Sequence, residues 1–117
     1  MKVTRLEIHN LGIVSDIEVE INKPMVLFFG DIRQGKSTIL NAVKWCFGGS
    51  YPDDIIRHGE SEAWVKLHIE GGSIRRSWYR SADGATKARD IELVIAGEVK
   101  KRPVEYLKTL VNPFLLD

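Results

Sequence analysis

Gly30-Asp31-Ile32-Arg33-Gln34-Gly35-Lys36-Ser37 fits the pattern Gly-x-x-x-x-Gly-Lys-Ser and follows the apolar run Met25-Val26-Leu27-Phe28-Phe29. A buried strand that feeds such a loop presents backbone N–H groups to a polyphosphate at the N-terminus of the next helix. Gly30 and Gly35 permit the close backbone approach. Lys36 supplies a point charge for the outer phosphates, and the Ser37 hydroxyl is placed where it can join the shell of a magnesium ion. The pattern predicts a nucleoside triphosphate site in which Ser37 holds metal only when nucleotide is present. Ile39, Leu40, Val43 and Phe47 then fall at helical spacing, and Gly48-Gly49 is a stop signal, so a helix is expected from about Gly35 to Phe47.

Upstream, Leu6 and Ile8 alternate with Glu7 and His9, Asn10-Leu11-Gly12 turns the chain, and Ile17, Val19 and Ile21 alternate with Glu18 and Glu20. These residues describe two half-buried antiparallel strands. Met25 to Phe29 is apolar on both faces, as expected of a strand buried inside an α/β core. Downstream, residues 48–62 are rich in Gly, Pro, Asp and Ser and read as a long connection of the kind that often touches ligand. Val65, Leu67 and Ile69 resume the alternation, Gly71-Gly72 turns it, and Ile74 to Arg80 returns as a hairpin. Residues 81–89 read as a polar loop. A second hairpin is expected around Ala96-Gly97, and a short helix opening at Pro103 and ending at Asn112-Pro113.

The chain has 117 residues, a size for one domain that buries roughly two-thirds of its unfolded surface, yet short for a complete P-loop ATPase. A net charge of +1 arises from 17 Lys and Arg against 16 Asp and Glu, so any nucleic-acid site must be a local patch. The single cysteine, Cys46, falls on the core side of the expected helix and excludes an internal disulfide framework. Met25 to Phe29 is the longest wholly apolar run, far below the roughly twenty residues of a membrane span, and no signal-peptide core follows Met1. A soluble, cytoplasmic protein with no membrane partner is the expectation. No repeat or heptad run is present, so any coiled coil lies outside this chain.

The order of strand, turn, strand, apolar strand, phosphate loop, helix, long loop and meandering strands resembles the N-terminal ATPase lobe of the SMC and SbcC-type family, which is related to RecF and RecN. The resemblance covers essentially the whole chain. It is carried by Val3-Thr4-Arg5-Leu6-Glu7-Ile8-His9-Asn10-Leu11, by Gly30 to Ser37 with Thr38-Ile39-Leu40-Asn41-Ala42 after it, by Ile55-Ile56-Arg57-His58-Gly59-Glu60, and by Ile74-Arg75-Arg76. It implies an α/β P-loop lobe over residues 1–117, half of a split ABC-type ATPase head that binds ATP and Mg²⁺. The implied role lies in DNA double-strand break repair, recombination or chromosome maintenance. The implied partners are a C-terminal lobe, a second head in a head-to-head dimer, DNA and a nuclease subunit. Two positions depart from the family pattern: Ile32 stands where Asn is usual, and Gly12 where SbcC-like members carry Arg. Ile32 offers no side-chain hydrogen bond and Gly12 no charge.

On this reading Gly30, Ile32, Arg33, Gln34, Gly35, Lys36, Ser37 and Thr38 bind nucleotide, with Ser37 the metal ligand. Ile56, Arg57 and His58 run near the adenine and ribose. No catalytic residue is expected in this chain, because the water-activating carboxylate belongs to the C-terminal lobe. No Ser-Gly-Gly signature occurs, and Phe114-Leu115-Leu116-Asp117 reads as the approach to an absent Gln-bearing loop. Asp31, Asp53 and Asp54 read as solvated loop residues, and His9, His58 and His68 are too dispersed for a metal motif. Arg75, Arg76, Arg80, Lys87 and Arg89, with Trp78 and Tyr79 interleaved, form a candidate DNA-backbone patch divided between two strand faces; a charged solvated strand is the plainer alternative. Trp45 and Trp64 read as packing residues. Two rival functions remain open, a non-hydrolysing module switched by nucleotide and a small P-loop kinase.

Overall fold

Alternating side chains sort the strands into a wet face and a dry one. The computed structural model describes residues 2–12, 14–24, 27 and 38–101. Its elements are β1 (Lys2–Leu11), β2 (Val14–Pro24), α1 (Thr38–Cys46), β3 (Glu62–Ile69), β4 (Gly72–Arg80), β5 (Thr86–Ala88), β6 (Glu92–Ile95) and β7 (Glu98–Val99). The strands make one antiparallel sheet in the order β2-β1-β3-β4-β6-β7, with β5 paired to β4. Ala63, Val65, Leu67 and Ile69 of β3 point to the dry face, as do Ile74 and Trp78 of β4 and Leu93 of β6, all buried. α1 covers that face with Ala42, Val43 and Cys46, and Phe47 packs beside them.

β1 is the central problem of the sheet, because its inward set Val3, Leu6, Ile8 and Leu11 does not keep a strict period of two. A register irregularity between Val3 and Arg5 inserts one extra step against β3, and Asn10 in the left-handed region (φ 54°) turns the backbone without changing the register to β2. This turn lets β1 change partners. Its pairing with β3 ends at His9–Trp64, and Leu11 then bridges Ile56. The amide of Gly12 donates to Ile55 O at 2.8 Å and that of Arg57 to Asn10 O at 2.8 Å. Gly12 itself sits at φ 61°, so this turn selects a residue without Cβ where a family arginine would be strained.

The end of α1 follows a regular capping pattern. Gly48 (φ 100°) donates to Trp45 O at 3.1 Å and Gly49 donates to Lys44 O at 2.9 Å, the paired bonds of a Schellman motif. A Cβ on Gly49 would lie 2.9 Å from Lys44 O, which is why two glycines stand together there. The expected stop at Gly48-Gly49 is therefore observed, as are both hairpins; in the second, Ala96 and Gly97 at φ 52° and 81° make the left-handed turn that fits strand twist.

Two expectations change. Residues 81–89 are not all loop, because Thr86 to Ala88 extend the sheet opposite Arg80 to Trp78. Gly84 (φ 86°) and a turn in which the Asp83 carboxylate accepts from the Ser81 hydroxyl and the Ala85 amide fold the chain back into register. Of the run Met25 to Phe29 the structure describes Leu27, which is helical and 58% exposed rather than extended and buried. A strand apolar on both faces needs cover on both, and none of the described elements closes over Leu27. The phosphate-loop residues Gly30 to Ser37 and the helix expected after Pro103 lie outside the described residues. What is described is the coarse α/β class, an antiparallel sheet carrying a helix.

Candidate functional site

The frame on either side of the phosphate-loop motif is described from Thr38 onward. α1 begins at Thr38, the residue that follows Ser37 in the sequence, and the cap at Gly48-Gly49 hands the chain to residues 48–61, which carry Ile56, Arg57 and His58. That segment is pinned along its length. Besides the bridge to Leu11, Thr86 Oγ1 donates to Asp53 O at 2.7 Å, and Arg80 Nε donates to Glu60 O at 3.1 Å. Ile55 and Ile56 belong to the core, whereas Arg57 and His58 are exposed. The Ile56 side chain is therefore committed to packing, because the bridge to β1 turns it into the dry face. Arg57 and His58 are the members of the expected trio whose side chains face outward.

The five basic residues of the candidate patch separate. Arg75, Lys87 and Arg89 lie on the wet face, since Tyr79 stands opposite Lys87 and the Arg89 amide donates to Ser77 O at 2.9 Å. Arg75 lies 5.2 Å above the Trp64 ring and 3.7 Å from the Glu92 carboxylate. Arg89 lies 4.7 Å above the Tyr79 ring and 3.1 Å from Glu62. Arg80 is turned to the segment at Glu60. Arg76 goes inward: its Nη1 donates to Trp45 O at 2.8 Å and to Gly49 O at 3.0 Å, and burial pushes its guanidinium pKa down from the usual value. The structure thus brings three of the five together and gives Arg76 a partner in the helix end instead.

The rest of the wet face is ordered in cross-strand rows. One runs Asp16, His9, Trp64, Ser77; the next runs Glu18, Glu7, Lys66, Arg75, Glu92. His9 stacks on Trp64 with ring centres 5.6 Å apart, and its Nδ1 meets the Asp16 carboxylate at 2.6 Å. Trp64 therefore packs as expected, but on the polar face, because Val65, Leu67 and Ile69 own the other. His68 Nε2 donates to Glu7 at 2.5 Å, and this hydrogen bond holds the Glu7 carboxyl below its usual range. Arg5 joins them, 3.0 Å from Glu18. Sequence reasoning passed over these pairs, although the alternation of Arg5, Glu7 and His9 on one strand and Lys66 and His68 on another signalled them. Among the described residues, no group of three His, Cys, Asp or Glu could hold a metal ion. Nor is any described helix long and apolar enough to cross a membrane.

Among the described residues, an antiparallel sheet with a capped helix that follows a Gly-x-x-x-x-Gly-Lys-Ser motif in the sequence defines a class, and the comparisons agree with it. A family model described as an AAA domain matches residues 5–111, and the chain belongs to that family, as an ATPase lobe of the SMC/RecN type. It is similar to the DNA repair protein RecN of Deinococcus radiodurans, 38% identical over 64 residues that cover 55% of this chain and 11% of that protein. The DNA repair protein RecN of Aquifex aeolicus is 29% identical over 96 residues, covering 77% of this chain and 18% of the relative. That of Vibrio cholerae is 28% identical over 78 residues, with 65% and 14% covered. The matched region is thus between 11% and 18% of the length of these relatives.

Proposed function

We propose that this chain is the nucleotide-binding lobe of a DNA repair ATPase, forming a single lobe over residues 1–117 and half of a split P-loop head. The observation that carries the reading is the AAA-domain match over residues 5–111, which spans the motif Gly30 to Ser37. In this reading Lys36 neutralises the outer phosphates of ATP, Ser37 ligates Mg²⁺, and backbone amides of Gly30 to Thr38 surround the phosphates, with Ile32, Arg33 and Gln34 lining the loop. Arg57 and His58 border the base and ribose. Mg²⁺, when bound with the nucleotide, supplies charge neutralisation between phosphates; no residue of this chain acts as the base. Hydrolysis therefore requires the carboxylate of a C-terminal lobe and a second head. The protein works in the cytoplasm on DNA, with Arg75, Lys87 and Arg89 as backbone contacts and a nuclease subunit as companion.

Titration of the chain with MgATP, following binding and phosphate release with and without a C-terminal lobe, tests this. Binding alone, with release on reconstitution, is the expected result. Lys36→Ala should abolish binding while the circular dichroism spectrum is unchanged, and Ser37→Ala should remove the magnesium dependence. Wild-type ATP affinity in Lys36→Ala would refute the assignment. The missing carboxylate and Ile32 give the non-hydrolysing switch its support, and binding without release even after reconstitution would favour it.

A further inference from the structure

Cations on the wet face commonly sit against a carboxylate. Arg5 lies 3.0 Å from Glu18 and Arg89 3.1 Å from Glu62, while His9 and His68 meet Asp16 and Glu7. Lys66 departs from this arrangement. It is half-buried in β3, opposite Glu7 on one side and Arg75 on the other, and the Glu7 carboxylate is taken by His68 at 2.5 Å. Among the described residues Lys66 makes no hydrogen bond or ion pair. Two cations directly opposite each other on paired strands repel, so the placement costs stability. Arg75 stacks over Trp64 and comes within 3.7 Å of Glu92, yet its guanidinium donates no hydrogen bond among the described residues. The Ser73 hydroxyl has no partner among them either.

These three donors line one recess of about 200 Å³, completed by Glu92, Val94 and Val99. The register gathers them, because Lys66 faces Arg75, Arg75 faces Glu92, Ser73 faces Val94 and Val94 faces Val99. Donors in excess of acceptors fit an oxyanion, and a guanidinium beside an ammonium suits phosphate. Val99, 70% exposed, gives the recess an apolar wall. Pockets that enclose a whole small molecule start at roughly 300 Å³, so this one has room for a single phosphate and its sugar. We propose that the recess is a phosphate site for a sugar-linked phosphate, supplied by a nucleic-acid backbone or by a small sugar phosphate. Lys66 and Arg75 neutralise the charge, Ser73 donates a further hydrogen bond, and Val94 and Val99 face the sugar. Glu92 competes with the anion for Arg75, and its side chain, 63% exposed, is free to turn away. Arg75 is shared with the DNA contacts proposed above; a nucleic-acid source rests on that reading, whereas the recess itself does not.

The experiment follows backbone amide shifts by NMR in the full chain, at constant ionic strength, during titration with inorganic phosphate, with ribose-5-phosphate and with a short DNA duplex bearing hydroxyl ends. Saturable shifts at the amides of Lys66, Ser73, Arg75 and Val94 are expected. Lys66→Gln should weaken phosphate binding about tenfold, the loss of one charge-assisted hydrogen bond, and Ser73→Ala should weaken it less. Lys44→Gln makes the same charge change on the exposed side of α1, across the sheet, and should leave the affinity unaltered. Glu92→Gln should tighten binding. Equal losses in Lys66→Gln and Lys44→Gln, or no saturable shift at these amides with any of the three probes, would overturn the inference. The probes also separate the sources. Tighter binding of the duplex at the same amides assigns the site to nucleic acid. Ribose-5-phosphate binding there with a silent duplex assigns it to a small sugar phosphate and removes the DNA contact at Arg75. Duplex shifts at Lys87 and Arg89 that leave the recess silent overturn the inference alone, with the DNA reading left standing.

Discussion

Replacing Gly72 by alanine should open the sheet between β4 and β6. A Cβ at this position would lie 2.1 Å from the Val94 carbonyl oxygen and 3.1 Å from the Ile95 side chain. Nothing flexible stands in the way to be moved, since the nearest atom is backbone. Relief requires the two strands to separate by roughly 1 Å at that point, enough to carry their hydrogen bonds beyond useful length. The paired run is short, from Gly72–Ile95 to Arg75–Glu92, so a disturbance at its end reaches most of it. Losing two or three such bonds at about 1 kcal/mol each gives an expected destabilisation of about 2–3 kcal/mol. The control is Gly84→Ala, where φ is 86° and no atom lies within 4 Å of the new methyl, so that backbone strain of about 1 kcal/mol acts alone. Urea unfolding supplies both numbers, and hydrogen exchange locates the loss in β6 and β7. Equal cost in the two variants, with β6 amides still protected, would refute the steric argument.

Two further outcomes follow from the titratable groups. Because its hydrogen bond from His68 holds the Glu7 carboxyl below the ordinary value of 4.5, the pair's contribution is present above that pH and is lost as pH falls through the folded value. Glu7→Gln should therefore lower stability at neutral pH and flatten the acid limb of a stability-against-pH curve, the two proteins converging at low pH; an unchanged acid limb would disprove it. Burial pushes the Cys46 thiol up to about 12, and the thiol sits 3.5 Å from the Ile74 carbonyl. Native protein should resist a thiol-alkylating reagent at pH 8 and react only after unfolding, and rapid native labelling would contradict the burial of α1.

Much of the sheet was legible because β3 keeps strict alternation and β4 keeps it apart from Arg76, and because Gly48-Gly49 and Ala96-Gly97 are turn and cap chemistry written in adjacent residues. β5 was not, since Thr86-Lys87-Ala88 is too short to show a period and its partner is chosen by the Ser81–Ala85 turn. The register irregularity after Val3 and the left-handed Asn10 in β1 were hidden for a related reason: neither alters composition, and both show only in which side chains are buried. At the candidate site the motif from Gly30 to Ser37 is read from sequence. The division of the basic cluster followed from alternation, which already put Arg76 beside Ile74 and Trp78. What the pattern could not supply was the acceptor that makes a cation tolerable there, because the carbonyls of Trp45 and Gly49 reach it only through the packing of α1 on the sheet.

The place where β1 meets β3 has a consequence for how the chain assembles. The β1–β2 and β3–β4 hairpins join neighbours in sequence, whereas the β1–β3 pairing joins Val3 to Ile69 and His9 to Trp64. Everything between, the phosphate-loop motif and α1 included, is an insertion between the two sides of one seam. On a growing chain the apolar side chains of β1 emerge before β3, and the pairing that completes their sheet does not exist until β3 has been made. Closing so long a loop is slow relative to forming either hairpin. The order of events is then two local hairpins followed by one distant closure, and the frame around the nucleotide motif is assembled by the same step that completes the core.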